Sequence, residues 1–229
     1  MQKLLEVHNL GVGIRGKQVL SDITFDLERD DTLVIIGPNG SGKTLLVKTL
    51  LGLMPKLRGT YVWDTKVKIG YVPQKFAIDK NVPITVGEFL ALKNKATSAR
   101  ILETLKQVGL PEKVVSWPMK SLSGGQFQRV VVAWSIIDEP DVLIFDEPTE
   151  SIDVAGQVCV YELIEDLKAK KHIAVILITH DLDVVYSHAN KVVCLKGGTM
   201  VMPCEHTTTF DKHLIETVYG LSTHHHHES

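Results

Sequence analysis

Cysteine is scarce in this sequence. Three residues in 229 (Cys159, Cys194 and Cys204) make an odd count with no CxxC spacing. That pattern argues against a disulfide framework or a zinc knuckle and fits a reducing compartment. The cysteines read as core or surface residues, not ligands. An excess of charge of one sign is also missing. The 25 basic and 27 acidic residues leave a formal net charge of −2, so a polyanionic partner such as nucleic acid is not expected. Long apolar runs are missing too. Runs such as Leu33–Ile36, Val142–Phe145 and Ile173–Ile178 each fall far short of the roughly 20 residues of a spanning helix. Glu6 and His8 interrupt any secretory h-region at the N-terminus. The expectation is a chain made and kept in the cytosol. There is no internal repeat.

What is present is apolar content, at 44%, in short β-branched runs followed by segments of helical period. This alternation predicts an α/β protein with a mostly parallel central sheet. Thr32–Ile36 reads as a buried strand, then a Gly-rich loop, then a helix over 44–50. Val142–Phe145, Ile173–Ile178 and Lys191–Leu195 read as further core strands, with Val160, Leu163, Ile164 and Leu167 on a helix between them. Near the N-terminus Ile23, Phe25 and Leu27 alternate with Thr24, Asp26 and Glu28. That is an antiparallel, half-exposed strand, with Leu5 and Val7 placed to pair with it. From Pro83 the pattern turns helical, with Ile101, Leu102, Leu105 and Val108 on one face. It is read as a helical subdomain of about 83–135 inserted in the α/β core.

Gly37-Pro38-Asn39-Gly40-Ser41-Gly42-Lys43-Thr44 fits the phosphate-binding-loop pattern in full. Its glycines let backbone N–H groups turn inward around a phosphate, and the following helix adds its positive end. Lys43 is expected on the β- and γ-phosphates and the Thr44 hydroxyl on Mg²⁺. Val142-Leu143-Ile144-Phe145 ends in Asp146-Glu147. Alone, two carboxylates there also suit a solvated acidic turn. Downstream of a phosphate loop, Asp146 suits a direct or outer-sphere hold on Mg²⁺. Glu147 is then placed to orient or deprotonate a water.

Leu122-Ser123-Gly124-Gly125-Gln126 adds a second helix start with glycine N–H groups, Ser123 standing at the N-cap. One nucleotide hardly needs two such cradles in one chain. Here the sequence resembles the ATP-binding-cassette (ABC) ATPases, whose signature motif this is. The resemblance covers nearly the whole chain, 1–221, with the motifs in family order. It implies ATP and Mg²⁺ as ligands. It also implies a head-to-tail dimer with a second copy, in which Ser123, Gly124, Gly125 and Gln126 of one chain cover the nucleotide of the other. It places Gln74 in the Q-loop, with a share in catalysis and in the Mg²⁺ site. It places Asp153 in the D-loop at the dimer contact, and His180 as the switch histidine near the γ-phosphate. One position departs from the family: Ile14 falls where an aromatic residue usually stacks on adenine. Either base binding is looser and less selective, or adenine packs on aliphatic side chains.

Ile69–Lys75 with Val82–Val86, Phe89 and Leu90, and Asp153–Val158 with Tyr161–Ile164, resemble the zinc and manganese importer branch. That branch implies integral membrane permease subunits, and indirectly an extracytoplasmic substrate-binding protein. It also implies attachment to the inner face of the cell membrane. An ABC ATPase serving another substrate, or a soluble one outside transport, is the alternative. Residues 222–229 form a His-rich tail, expected to be flexible. It reads equally as a native metal-binding segment or as the remnant of a purification tag.

Overall fold

The computed structural model describes residues 3–76, 78–79, 82–93, 96–149 and 154–202, with side chains throughout except at 154–159 and 202. The chain divides into two compact units, Met1–Asp64 with Leu177–Ser229, and Thr65–Ile176. The fold is α/β, with antiparallel strands at the N-terminus and parallel strands in the core.

In the first unit the chain opens with β1 (Lys3–Ile14) and β2 (Lys17–Glu28). They form a hairpin whose turn, Arg15-Gly16, has positive φ at both residues, matching the twist of the strands it joins. The register pairs Leu5 with Leu27 and Val7 with Phe25, as the alternation anticipates. Then follow β3 (Thr32–Ile36), α1 (Lys43–Leu50) and β4 (Lys56–Trp63), which pairs antiparallel with the outer side of β1.

The second unit contains β5 (Ile69–Val72), α2 (Val86–Ala91), α3 (Ser98–Gln107), α4 (Gly124–Ile136), β6 (Val142–Asp146) and α5 (Val154–Lys171). Short 3₁₀ turns at Glu112–Ser116 and Met119–Ser121 follow Pro111 and Pro118. β7 (Ala174–Ile178) carries the chain back across the division, and α6 (Leu182–His188), β8 (Lys191–Lys196) and β9 (Thr199–Met202) complete the first unit.

The strand order is β4-β1-β2-β9-β8-β3 in the first unit and β7-β6-β5 in the second. β3 runs parallel to β8, and β5 parallel to β6. Every residue of β3, β6 and β7 is buried, the mark of parallel strands covered on both faces. The helical stretch expected near 83–135 lies within the second unit. Ile101, Leu105 and Val108 are buried there and Leu102 is half-buried. Thr85 and Glu88 form a capping box that starts α2, and Thr97 caps α3.

Three strands escape the sequence reading. β4 is half-exposed and carries Leu57 and Val62 outward, so no apolar run marks it. β5 and β9 have only four residues each.

The first unit is tied by a buried polar knot. Lys191 opens β8 with its side chain 2% exposed, and its ammonium meets Asp26 Oδ1 at 2.8 Å and Asp31 Oδ2 at 3.0 Å. Asn190 Nδ2 donates to Asp31 Oδ1 and its Oδ1 accepts from Thr32 N–H. Burial alone would push the Lys191 ammonium down, but hydrogen bonds and charge from Asp26 and Asp31 outweigh it and raise it. A raised value stabilises the fold at any pH below the ordinary lysine value of 10.5, and that share fades as pH climbs through the folded value. Without Asp31 the buried Lys191 ammonium keeps only the Asp26 carboxylate. Asp31→Ala is therefore expected to cost about 1.5–3 kcal/mol in urea unfolding at neutral pH. The loss should shrink in strongly alkaline solution.

Candidate functional site

Among the described residues, the expected site residues lie at or just past the ends of strands or at the starts of helices. β3 ends at Ile36 and the Gly-rich loop begins. Gly37 has φ +152°, and an added Cβ there would lie 2.3 Å from the Leu195 carbonyl oxygen, so the turn admits glycine only. Gly40 and Gly42 are left-handed, at φ +79° and +100°, a region that costs other residues about 1–2 kcal/mol. Gly42 caps α1 without any side-chain hydrogen bond, and the first turn of α1 holds no acid. Its N–H groups and positive end therefore face the loop without an acid from the helix's own first turn.

Three further features fit this loop to a phosphate. Lys43 is only 5% exposed, with its ammonium donating to the Gly37 carbonyl at 2.8 Å and the Pro38 carbonyl at 3.4 Å. A buried ammonium at the head of the loop suits a phosphate oxygen. Ser41 Oγ is buried without a hydrogen-bond partner, a hydroxyl ready to meet an oxygen-rich ligand. Pro38, Asn39 and Gly40 are exposed at the loop's tip, and Thr44 follows half-buried on α1.

In the second unit, β6 ends in the two carboxylates. Asp146 is 1% exposed, and the Tyr71 hydroxyl donates to its Oδ2 at 3.2 Å. Burial, then the Asp146 charge and the shared hydrogen bond, raise the Tyr71 phenol well above its ordinary value, so it stays a donor. Glu147 is half-buried and its Oε2 accepts from Gln74 Nε2 at 3.0 Å. Its backbone is left-handed, φ +48°, strain that a structure retains only where its surroundings enforce it. A buried carboxylate at a strand end suits a divalent cation. Within this unit the Asp146 carboxylate and the Gln74 amide offer oxygen donors, as Mg²⁺ prefers.

Ser123 caps α4. Its Oγ accepts from Gln126 N–H at 3.3 Å and its own N–H donates to Gln126 Oε1 at 3.0 Å. Gln126 thus spends its side chain closing the capping box, while Gly124 and Gly125 face open space. An aromatic chain links this helix to the Gln74 loop. Phe76 packs 5.7 Å from Phe89 and 6.2 Å from Phe127, and Phe89 lies 6.0 Å from Trp134.

His180 is exposed just past β7 in the first unit, and Asp181 beside it caps α6. Asp153, Cys204 and the tail at 222–229 lie outside the described residues, as does the side chain of Cys159. Cys194 is buried, and burial pushes its thiol up to about 11. Sequence reasoning missed Tyr71 and the capping role of Gln126. The signal for Tyr71 is the short alternating run before Pro73-Gln74, which becomes informative once it is paired beside β6.

A family model described as "ABC transporter" matches residues 20–150. The zinc import ATP-binding protein ZnuC of Photorhabdus laumondii is 39% identical over 195 residues, covering 85% of this chain and 76% of that protein. Its namesake in Cereibacter sphaeroides is 38% identical over 192 residues, covering 84% and 79%. Among solved structures, cbiO1 from Clostridium perfringens, part of the ABC transporter complex cbiONQ, superposes with a TM-score of 0.77. It is 26% identical and covers 96% of this chain and 92% of its own.

Ile14, which the family resemblance sets in the adenine-stacking slot, ends β1 and is 45% exposed. Replacing it with tyrosine would supply a π-face, worth about 0.5–1.5 kcal/mol in aromatic pairs. Ile14→Tyr is expected to tighten ATP binding by roughly two- to tenfold. It should also widen the preference for ATP over a ribose triphosphate lacking a base, both read by titration calorimetry.

Proposed function

The chain belongs to the ABC transporter family and is an ATPase that works on ATP with Mg²⁺; from that premise we propose that it powers a divalent-metal importer, with zinc as the imported ion. The observation that carries the reading is the pair of adjacent carboxylates closing β6, with Gln74 bonded to Glu147. Without them a phosphate loop would only hold nucleotide. The zinc assignment draws on the two ZnuC relatives.

In the proposed mechanism, the backbone N–H groups of Asn39–Thr44 hold the phosphates. Lys43 exchanges its carbonyl partners for β- and γ-oxygens and stabilises the charge spread over the transferring phosphoryl and leaving β-phosphate oxygens. Bound Mg²⁺ would neutralise phosphate charge, held by the Thr44 hydroxyl, Asp146 and Gln74. Glu147 orients the attacking water and takes its proton. His180 reads the γ-phosphate.

A second copy closes head-to-tail in two-fold symmetry, its Ser123-Gly124-Gly125-Gln126 helix start covering the nucleotide and Asp153 lying at the contact. Loss of the γ-phosphate removes the anion that both chains grip, and the pair opens.

Permease subunits are the proposed membrane partners, with a substrate-binding protein beyond them, and the chain would sit on the inner membrane face. Among the described residues no helix is long and apolar enough to cross a membrane. A mostly apolar groove of about 270 Å³ runs from Ile78, Asp79 and Val82 past Met119, Lys120 and Leu122 to Gly124 and Phe127 at the start of α4; its end away from Gly124 is the proposed seat for a permease segment.

Glu147→Gln is expected to keep ATP binding, slow hydrolysis by about 100-fold or more, and trap a dimer on size exclusion with ATP and Mg²⁺. A variant that stays monomeric and hydrolyses at the normal rate removes Glu147 from this role. In cells, the same variant should abolish uptake of radioactive zinc. Undiminished zinc uptake, with loss of uptake of another substrate, would reassign the cargo.

A further inference from the structure

We infer that Tyr71 is a positioning residue for Asp146, its phenolic hydroxyl setting the angle at which that carboxylate is presented to Mg²⁺. The inference rests on the proposed role of Asp146 and extends it to a residue on a different strand.

The register makes the contact a consequence of the sheet. β5 runs parallel to β6 with Tyr71 beside Ile144 and Val72 beside Phe145. Residues two apart on a strand share a face, so Ile144 and Asp146 lie on the side where Tyr71 projects. Side chains in strands lean along the chain. A phenol leaning forward by one step of the pleat meets Asp146, and its hydroxyl lies 3.2 Å from Oδ2. A serine or asparagine at 71 would be too short to span that step.

Burial makes the contact matter. Asp146 is almost wholly sealed from solvent, so protein donors, more than water, define how its carboxylate is turned. Hydrogen-bond partners behind a metal-bound carboxylate fix its orientation and its basicity as a ligand. Two adjacent carboxylates here draw separate donors from one short segment. Tyr71 serves Asp146 and Gln74 serves Glu147. Nothing in the phosphate-loop pattern or the acidic pair calls for a tyrosine at 71, and phenylalanine would fill the same half-buried space without donating.

The test is binding of a fluorescent ATP analogue to the full chain, titrated with Mg²⁺ and repeated in EDTA. Tyr71→Phe is expected to raise the Mg²⁺ concentration for half-maximal effect by about tenfold, while metal-free nucleotide binding stays unchanged. Mn²⁺ in place of Mg²⁺ should show a matching loss of bound signal by electron paramagnetic resonance. In an Asp146→Ala background, Tyr71→Phe should add nothing. Binding is read on folded protein, so a lowered melting temperature leaves the comparison intact. An unchanged Mg²⁺ midpoint in Tyr71→Phe overturns the inference. So does a loss of equal size in EDTA, or one that persists in the Asp146→Ala background, because either marks a packing role. An Asp146→Ala protein with ordinary Mg²⁺ dependence overturns the role of Asp146 itself, and the inference with it.

Discussion

Complete burial of the parallel strands is the constraint on which the rest of the structure depends. β3, β6 and β7 have no exposed residue along their length. A strand covered on both faces cannot display polar chemistry from its middle, because an unpaired polar group there costs several kcal/mol. Polar residues are therefore pushed past the strand ends. Gly37 follows β3, Asp146-Glu147 closes β6, Gln74 comes two residues after β5, and His180 comes two residues after β7. Carboxyl ends of parallel strands are where open α/β folds present ligand-binding groups.

The same constraint explains what was legible in the sequence. β3, β6, β7 and β8 are buried enough to appear as unbroken apolar runs. The N-terminal hairpin was legible for the opposite reason: its half-exposed strand alternates. β4 mixes Lys56, Arg58 and Thr60 with outward Leu57 and Val62, so neither pattern marks it. The phosphate loop and the acidic pair are contiguous in sequence because a strand end is a single place in the chain. The Tyr71–Asp146 and Gln74–Glu147 bonds join residues more than seventy positions apart. They depend on which strands are neighbours and in what register, which one sequence does not state. Gln126 illustrates the limit differently. Its motif position was plain, yet its side chain closes the cap on its own helix, a detail of local geometry that the motif does not encode.

The division between buried and half-buried carboxylate has a mechanical reading. β5 ends at Val72, and Pro73 next to it has no N–H to continue the ladder. Tyr71 therefore stands on the sheet, while Gln74 stands on a loop past the proline. Asp146 is buried and held by the sheet-borne phenol. Glu147 is half-buried, carries a strained left-handed backbone, and is held by the loop-borne amide. Strain at Glu147 persists only while its neighbours enforce it, and one of those neighbours, Gln74, stands on a loop, which shifts more readily than a strand. In the proposed enzyme this separates two tasks that sit on adjacent residues. The metal-holding carboxylate keeps one orientation through the cycle. The water-activating carboxylate answers to the position of the Gln74 loop, which the aromatic contacts of Phe76 tie to α2 and to the Ser123-capped helix. Nucleotide can then bind under constant geometry while hydrolysis waits on a conformational condition, as a motor that must couple each turnover to work requires.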